Sequence, residues 1–179
     1  DDLDGATEDR SGTQSLLSGP PPALRGFKSG DEHDAFIIAS IQRLMKEGLA
    51  PREVAVFART GEVVKAIRDC LHRAEIPYEE LDRDTDVSAA QGVCLGTMHR
   101  AKGLEFKAVI VARCDEGSLP PASILARTKD PSDREAVVAL HRQLLYVAVT
   151  RARDESIVTW VGKPSPFLAP LLSSGEFNT

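Results

Sequence analysis

Polar side chains of several chemical types lie together between two short apolar runs near the middle of the chain. They bring a hydroxyl, an imidazole, an ammonium group and a carboxylate around one glycine: Thr97, His99, Lys102, Gly103 and Glu105. A simple turn between strands is usually built from Gly, Asn, Asp and Pro, so this set indicates a binding site. The segment also begins where the first apolar run ends, and open parallel sheets bind ligands beyond the carboxyl ends of their strands. Both observations favour a functional role.

A second cluster of polar residues follows roughly forty residues later in the chain. Residues 144–149 form an apolar, helix-like run that ends in Thr150, Arg151, Ala152 and Arg153. The two segments closely resemble the fifth and sixth conserved motifs of the UvrD/Rep-type helicases of superfamily 1, which occur in the same order and at similar spacing. About ten matching positions in each segment make this resemblance far more specific than a lone glycine fingerprint.

The resemblance implies a role for each matching residue. Arg151 would be a catalytic arginine finger, because a planar, permanently charged guanidinium can bond two oxygens of a γ-phosphate as negative charge spreads over them. Gly103 and Glu105 would lie near ATP together with Arg151, and Glu105 would contact the sugar. Thr97 and His99 would face single-stranded DNA. The alternative for this segment is a solvated loop with a capping threonine and a structural histidine.

A further arginine follows the strand-like run of residues 54–58. Arg59 and Thr60 resemble the segment with which these helicases approach the nucleic-acid backbone. Two interpretations stay open here: Arg59 binds DNA, or Thr60 caps the next helix and Arg59 is simply exposed. Arg153, two residues after Arg151, is expected to form a surface ion pair instead.

The chain lacks parts that a complete motor of this family needs. It contains no phosphate loop of the Gly-x-x-x-x-Gly-Lys-Ser/Thr type and no visible acidic motif for magnesium. The resemblance therefore implies a second, C-terminal RecA-like domain, which uses ATP and Mg²⁺ only together with an N-terminal RecA-like domain of the same protein. As an isolated fragment it is not expected to hydrolyse ATP. Residues 140–143 also depart from the family, since they read Leu-His-Arg-Gln where acidic and paired basic residues are frequent.

The complete protein would then be an ATP-dependent DNA helicase or translocase, and family resemblance implies movement from 3′ to 5′. Only residues 60–96 separate the Arg59 segment from the Thr97 segment, so the large accessory insertion of many relatives is predicted to be missing. The alternative is a non-catalytic, helicase-derived module that binds nucleic acid or a partner protein.

Bulk composition restricts the partners and the compartment. The net charge is −5, but residues 1–10 hold five acidic side chains and one arginine, so most of the excess negative charge lies in these ten residues. Any nucleic-acid contact must therefore be local. Cys70, Cys94 and Cys114 have no zinc or disulfide spacing, which predicts reduced, mostly buried thiols and no metal site. We found no long apolar run and no signal-peptide pattern, so we expect a cytoplasmic protein without membrane contact.

The distribution of apolar residues predicts one α/β domain. Residues 1–22, rich in acidic residues, Ser, Gly and Pro, are expected to be a flexible tail or linker, and residues 23–175 to form the motor domain. Within it, capping-box spacing predicts helix starts at Ser29 with Glu32 and at Ser132 with Glu135. Helices alternate with short apolar strands at 23–28, 54–58, 77–81, 92–96, 108–112 and 156–161. This order predicts a RecA-like, three-layer fold with a mainly parallel central sheet and helices on both faces.

Overall fold

A computed structural model describes residues 21–173 of the chain. Its six strands, in chain order, are β1 (Ala23–Phe27), β2 (Val54–Ala58), β3 (Tyr78–Glu80), β4 (Val93–Thr97), β5 (Phe106–Ala112) and β6 (Ala152–Val161). The helices are α1 (Gly30–Lys46), α2 (Gly61–Arg73), α3 (Ala122–Arg127), α4 (Pro131–Val149) and α5 (Ala169–Ser173). All six strands pair in parallel in one sheet of order β1-β6-β5-β2-β4-β3.

The central strand β2 shows why helices cover both faces of the sheet. All five of its residues are buried, as expected for a parallel strand without a solvated face. Val56 packs into a core that includes Ile41 of α1 and Leu71 of α2. The neighbouring Phe57 points to the other face, into a core that includes Leu145 of α4. Burying one such side chain contributes about 1.5–3 kcal/mol. The predicted three-layer α/β fold is confirmed.

The predicted start of α1 is confirmed, whereas that of α4 is corrected. Ser29 caps α1, because its Oγ accepts a hydrogen bond from the backbone N–H of Glu32 at 3.3 Å. Asp130, not Ser132, caps α4: its carboxylate accepts from the backbone N–H groups of Ser132 (2.8 Å) and Asp133 (3.2 Å). The physical reason is the proline that follows Asp130, which suits the first helical position and thereby moves the cap to the residue before it.

Two strands begin earlier than their apolar runs predicted. β5 begins at Phe106 rather than at residue 108, and β6 begins at Ala152 rather than at residue 156. The amino ends of these strands pair with one another, Phe106 opposite Ala152, although polar residues follow each of them. As a result, Glu105 and Arg151 stand immediately before two neighbouring strands.

The ends of the predicted domains are only partly described. Of the predicted tail, residues 1–20 lie outside the described residues, and so do positions 174 and 175 of the predicted motor domain. The three cysteines are buried, and none of them forms a disulfide within residues 21–173. In the same range, no helix combines the length and apolar character that crossing a membrane requires.

Candidate functional site

The segment from Thr97 to Glu105 runs from the carboxyl ends of the strands to their amino ends. We call these two ends of the sheet its carboxyl edge and its amino edge. Thr97 ends β4 level with Ala58, the last residue of β2, at the carboxyl edge. A 3₁₀ turn, Met98–Ala101, follows, and it is anchored by the fully buried side chains of its first and last residues. The chain then enters β5 at the amino edge. β5 has seven residues, so the two edges are about 20 Å apart at roughly 3.3 Å per residue.

This crossing separates the predicted residues into two groups. Thr97 and His99 lie at the carboxyl edge, where the rule for parallel sheets led us to expect a site. Gly103 and Glu105 lie near the amino edge, so the rule accounts for Thr97 and His99 but not for these two residues. The reason is topological: β4 and β5 are parallel, and the connection between them must therefore return to the opposite edge.

Arg151 lies at the amino edge, beside the end of that connection. Its backbone carbonyl accepts a hydrogen bond from the N–H of Phe106 at 2.9 Å. Its side chain is half-buried and donates to three neutral acceptors: the carbonyls of Val147 (3.2 Å) and Leu104 (3.3 Å) and the hydroxyl of Thr150 (3.5 Å). Among residues 21–173 it forms no ion pair with a carboxylate. The guanidinium thus keeps an uncompensated positive charge at this edge.

Gly103 and Glu105 are both exposed beside Arg151. Gly103 has a φ of +81°, a conformation that L side chains rarely adopt, and no atom lies within 4 Å of the position that a Cβ would take. Glycine is therefore required at position 103 by the backbone conformation of the turn, not by a lack of space for a side chain. Glu105 forms no ion pair within the described part of the chain. Neither Glu105 nor Arg151 is enclosed in the core, so both can contact a ligand.

Arg59 lies at the carboxyl edge, directly after β2. Thr60 caps α2 through its Oγ1, which accepts from the backbone N–H of Val63 at 3.4 Å, so this part of the capping interpretation is correct. The expectation of an exposed Arg59 is wrong, because its side chain is half-buried. Its Nη2 donates to Nε2 of His141 at 2.8 Å, and its Nε is buried without a partner among the described residues.

His141 is a functional candidate that the sequence analysis missed. It is 2% exposed, and its Nδ1 lies 2.8 Å from the carbonyl oxygen of Val137, one turn earlier in α4. Burial lowers the pKa of His141 below its ordinary value; the hydrogen bond to Val137 acts against this shift, and the nearby charge of Arg59 adds to it. The sequence offered one indication of its importance, a departure from the family motif: a histidine occurs where that motif often has acidic residues. Only the fold brings it to Arg59, 82 residues away.

His99 extends the same group toward solvent. Its side chain is exposed, yet partial burial of the ring, followed by the charge of Arg59, lowers its pKa; His141 and Arg100 act in the same direction. The imidazole is therefore neutral near pH 7 and suited to stacking or neutral hydrogen bonding. Thr97 is half-buried at the end of β4. Thr97, His99 and Arg59 consequently share the carboxyl edge.

No metal site occurs in the described part of the chain. Within residues 21–173, no group of three or more His, Cys, Asp or Glu side chains is arranged to hold an ion. Glu105 and Arg151 provide one carboxylate and one guanidinium at the amino edge, a pair that suits a sugar hydroxyl and a phosphate better than a divalent cation.

Comparison with known proteins agrees with the fold and with the two motifs. The structure of the C-terminal domain of a possible DNA helicase from Lactobacillus plantarum WCFS1 superposes with a TM-score of 0.61 at 22% identity, covering 84% of this chain and 80% of that one. The fold is therefore that of the RecA-like α/β domains of helicases. Residues 79–163 match the UvrD-like helicase C-terminal domain, and this part of the chain belongs to that family.

Curated relatives point to the same family. The ATP-dependent DNA helicase UvrD2 of Mycobacterium tuberculosis H37Rv is 40% identical over 78 residues, which are 42% of this chain and 10% of the relative. The ATP-dependent DNA helicase Rep of Buchnera aphidicola is 31% identical over 125 residues, 69% of this chain and 17% of the relative. The chain thus spans only a small part of these relatives. The matched family range includes the site candidates at positions 97–151 but not Arg59.

Proposed function

We propose that this chain is the C-terminal motor domain of an ATP-dependent DNA helicase or translocase of the cytoplasm. It acts as one half of a two-domain motor, and an N-terminal RecA-like domain of the same protein supplies the other half. The observation that carries this proposal is the state of Arg151: an accessible guanidinium with neutral partners only, beside the exposed Glu105. Such a pair is suited to face a nucleotide held by a partner domain.

Arg151 acts as the arginine finger in this proposal. Its hydrogen bonds go to two carbonyls and a hydroxyl, none of which carries a charge, whereas a phosphate offers ionised oxygens that a guanidinium can bind in pairs. The side chain therefore gains when a phosphate replaces these partners. Stabilising the charge that develops on a transferred phosphoryl group is worth about 10³–10⁵ in turnover for such arginines. Glu105 contacts the sugar, and Gly103 shapes the backbone that leads to it.

In this proposal the N-terminal domain supplies the phosphate loop, a motif that the sequence of this chain does not contain, and also the ligands of Mg²⁺, for which the described residues offer no cluster. When bound there, the metal neutralises phosphate charge. This chain contributes the guanidinium, the carboxylate and the turn at Gly103. Because only one wall of the nucleotide site is present, the isolated chain hydrolyses ATP negligibly.

Single-stranded DNA binds at the carboxyl edge, where Arg59, Thr97 and His99 lie. The nucleotide site at the amino edge is about 20 Å away across the sheet. Closure and reopening of the cleft between the two motor domains during ATP turnover would alternate their grip on DNA. Movement runs from 3′ to 5′, as in the family that the motifs resemble. Without the accessory insertion, translocation need not be accompanied by unwinding.

One observation favours the alternative, a non-catalytic binding module. The bonds from Arg151 to Val147 and Leu104 join the end of α4 to the segment before β5, so the arginine also has a purely structural use. A module without motor activity would keep Arg151 for this purpose and would bind nucleic acid or a protein without turnover.

Steady-state ATPase activity of the full-length protein, with and without single-stranded DNA, separates these functions. The native protein is compared with Arg151→Ala and with Arg153→Ala, which removes an exposed arginine two residues away. The motor function predicts DNA-stimulated turnover that falls by about 10³-fold or more in Arg151→Ala only, while DNA binding persists. Turnover that is absent in the native protein, or unchanged in Arg151→Ala, refutes the finger and leaves the binding module.

A further inference from the structure

A buried histidine of α4 contacts the arginine at the proposed DNA edge. His141 is 2% exposed and lies 2.8 Å from Nη2 of Arg59 through its Nε2. The two residues are 82 positions apart in the sequence: Arg59 follows β2, and His141 lies within α4. Arg59 therefore has a defined orientation that its own strand does not provide.

The surroundings of His141 define which of its nitrogens carries the proton. Its Nδ1 lies 2.8 Å from the carbonyl oxygen of Val137, which can only accept a hydrogen bond. Nδ1 consequently carries hydrogen and donates, and Nε2 is left with a lone pair that accepts from Arg59. A doubly protonated imidazole would direct a second N–H at the guanidinium. Burial and the charge of Arg59 disfavour that form, and together they outweigh the hydrogen bond to Val137, which favours it.

A neutral partner orients Arg59 without neutralising it. Among residues 21–173, Arg59 forms no ion pair, and its Nε has no hydrogen-bond partner. A carboxylate at position 141 would hold the guanidinium as firmly but would compensate its charge. With histidine there, the full positive charge stays available beside His99 and Arg100, where it can release counterions from a phosphate backbone.

We propose that His141 is a positioning residue for nucleic-acid binding, which directs the Arg59 guanidinium to a phosphate of single-stranded DNA and leaves its charge uncompensated. This inference rests on the proposed function in taking single-stranded DNA as the ligand of the carboxyl edge. α4 thereby supports both candidate sites, because His141 lies within it and Arg151 follows its last residue, Val149, by two positions.

The test is a double-mutant cycle on the 179-residue chain, read out as fluorescence anisotropy of a labelled oligothymidylate over a range of salt concentrations. Arg59→Gln is expected to weaken binding about fivefold or more and to reduce the salt slope by about one. His141→Leu removes the acceptor and is expected to weaken binding similarly. The double variant should bind no more weakly than Arg59→Gln alone, because the two residues act as one unit.

Two comparisons separate positioning from a general effect on folding. His72→Leu alters an exposed histidine of α2 and should leave binding unchanged. His141→Glu keeps an acceptor but adds a compensating charge, and it is expected to reduce the salt slope by about one although Arg59 remains. A purely structural role of His141 would not change that slope.

The outcomes distinguish this inference from the proposed function. If Arg59→Gln leaves both affinity and salt slope unchanged, the DNA role of Arg59 fails and this inference fails with it. If Arg59→Gln weakens binding but His141→Leu is neutral or fully additive, only the positioning role is overturned. Should His141→Leu not fold, long-range ¹H–¹⁵N spectra of the native imidazole at pH 7 decide: the Nδ1–H tautomer supports the inference, and the Nε2–H tautomer overturns it.

Discussion

The Nη1 of Arg151 donates a hydrogen bond of 3.3 Å to the carbonyl oxygen of Leu104, 47 residues earlier in the chain. Leu104 lies between the two residues that the first motif predicts to be near a nucleotide, Gly103 and Glu105. The second motif supplies Arg151. The two motifs therefore meet at the amino edge of the sheet, just before the neighbouring strands β5 and β6. This contact is the structural basis for treating them as one site.

The same contact predicts a moderate role of Arg151 in stability. Arg151→Ala removes bonds to the carbonyls of Val147 and Leu104 and a positive charge at the carboxyl end of α4, so the free energy of unfolding should fall by about 1–2 kcal/mol. Urea denaturation followed by circular dichroism measures this. Arg153→Ala is the control and should change stability by less than about 0.5 kcal/mol. Equal effects of the two variants would contradict the observed contacts.

The start of α4 allows a test with two adjacent candidates for the cap. Asp130 accepts two backbone N–H groups of the first turn, whereas the side chain of Ser132 makes no capping bond. Asp130→Ala should therefore lower the free energy of unfolding by about 1 kcal/mol, and Ser132→Ala by a few tenths at most. Thermal and urea unfolding of both variants provide the comparison. A larger loss in Ser132→Ala would favour the cap that the sequence spacing had predicted.

Gly103 gives a prediction about backbone conformation. Its φ of +81° penalises any residue with a Cβ, although the space around that position is open. Gly103→Ala should cost about 1 kcal/mol of stability, since alanine in left-handed conformations is disfavoured by roughly 1–2 kcal/mol. Gly30→Ala is a matched control, because Gly30 also has open space but begins α1 without a positive φ. Differential scanning calorimetry should show a lower melting temperature for Gly103→Ala only.

The buried histidines predict how stability depends on pH. Burial lowers the pKa of His33 and of His141 below the ordinary 6.5. In the unfolded chain both pKa values return to about 6.5, so below that pH the unfolded state binds more protons than the folded one. The free energy of unfolding should therefore fall as pH decreases below about 6.5, by up to about 1.4 kcal/mol per pH unit for each histidine.

Urea unfolding at pH 8, 7, 6 and 5.5 measures this dependence. His141→Gln removes one of the two buried groups, leaves the partly buried His99 in place, and should make the fall below pH 6.5 shallower, whereas His72→Gln, at an exposed position, should leave its steepness unchanged. Stability that is constant between pH 8 and 5.5 in the native chain would refute the role of these two residues.

Several features of the fold and site were accessible from the sequence because they depend on local patterns. β2 is buried on both faces, so its five residues read as an uninterrupted apolar run, and its predicted bounds are confirmed. Ser29 and Glu32 predicted the start of α1 because capping involves residues three positions apart. The two motifs could be compared with a known family because their residues are contiguous, and the family match at residues 79–163 supports that comparison.

Other boundaries escaped prediction because they depend on pairing between distant segments. The first residues of β6 include Arg153 and Asp154, whose exposed polar side chains hide the strand in a hydropathy pattern. They are held in the sheet because Ala152 pairs with Phe106 of β5. Backbone hydrogen bonding of this kind is independent of side-chain polarity, so no local pattern reports it.

The residue types that do the proposed chemistry were present in the linear chain: the guanidinium of Arg151, the carboxylate of Glu105 and the imidazole of His99 could be named because the two motifs resemble those of a known helicase family. Their division between two edges of the sheet was decided only by the tertiary structure, since a connection between parallel strands must cross from one edge to the other. The contact of Arg59 with His141 was decided there too. It joins groups 82 residues apart, and no spacing in the sequence expresses a distance that arises only when a helix packs on a sheet.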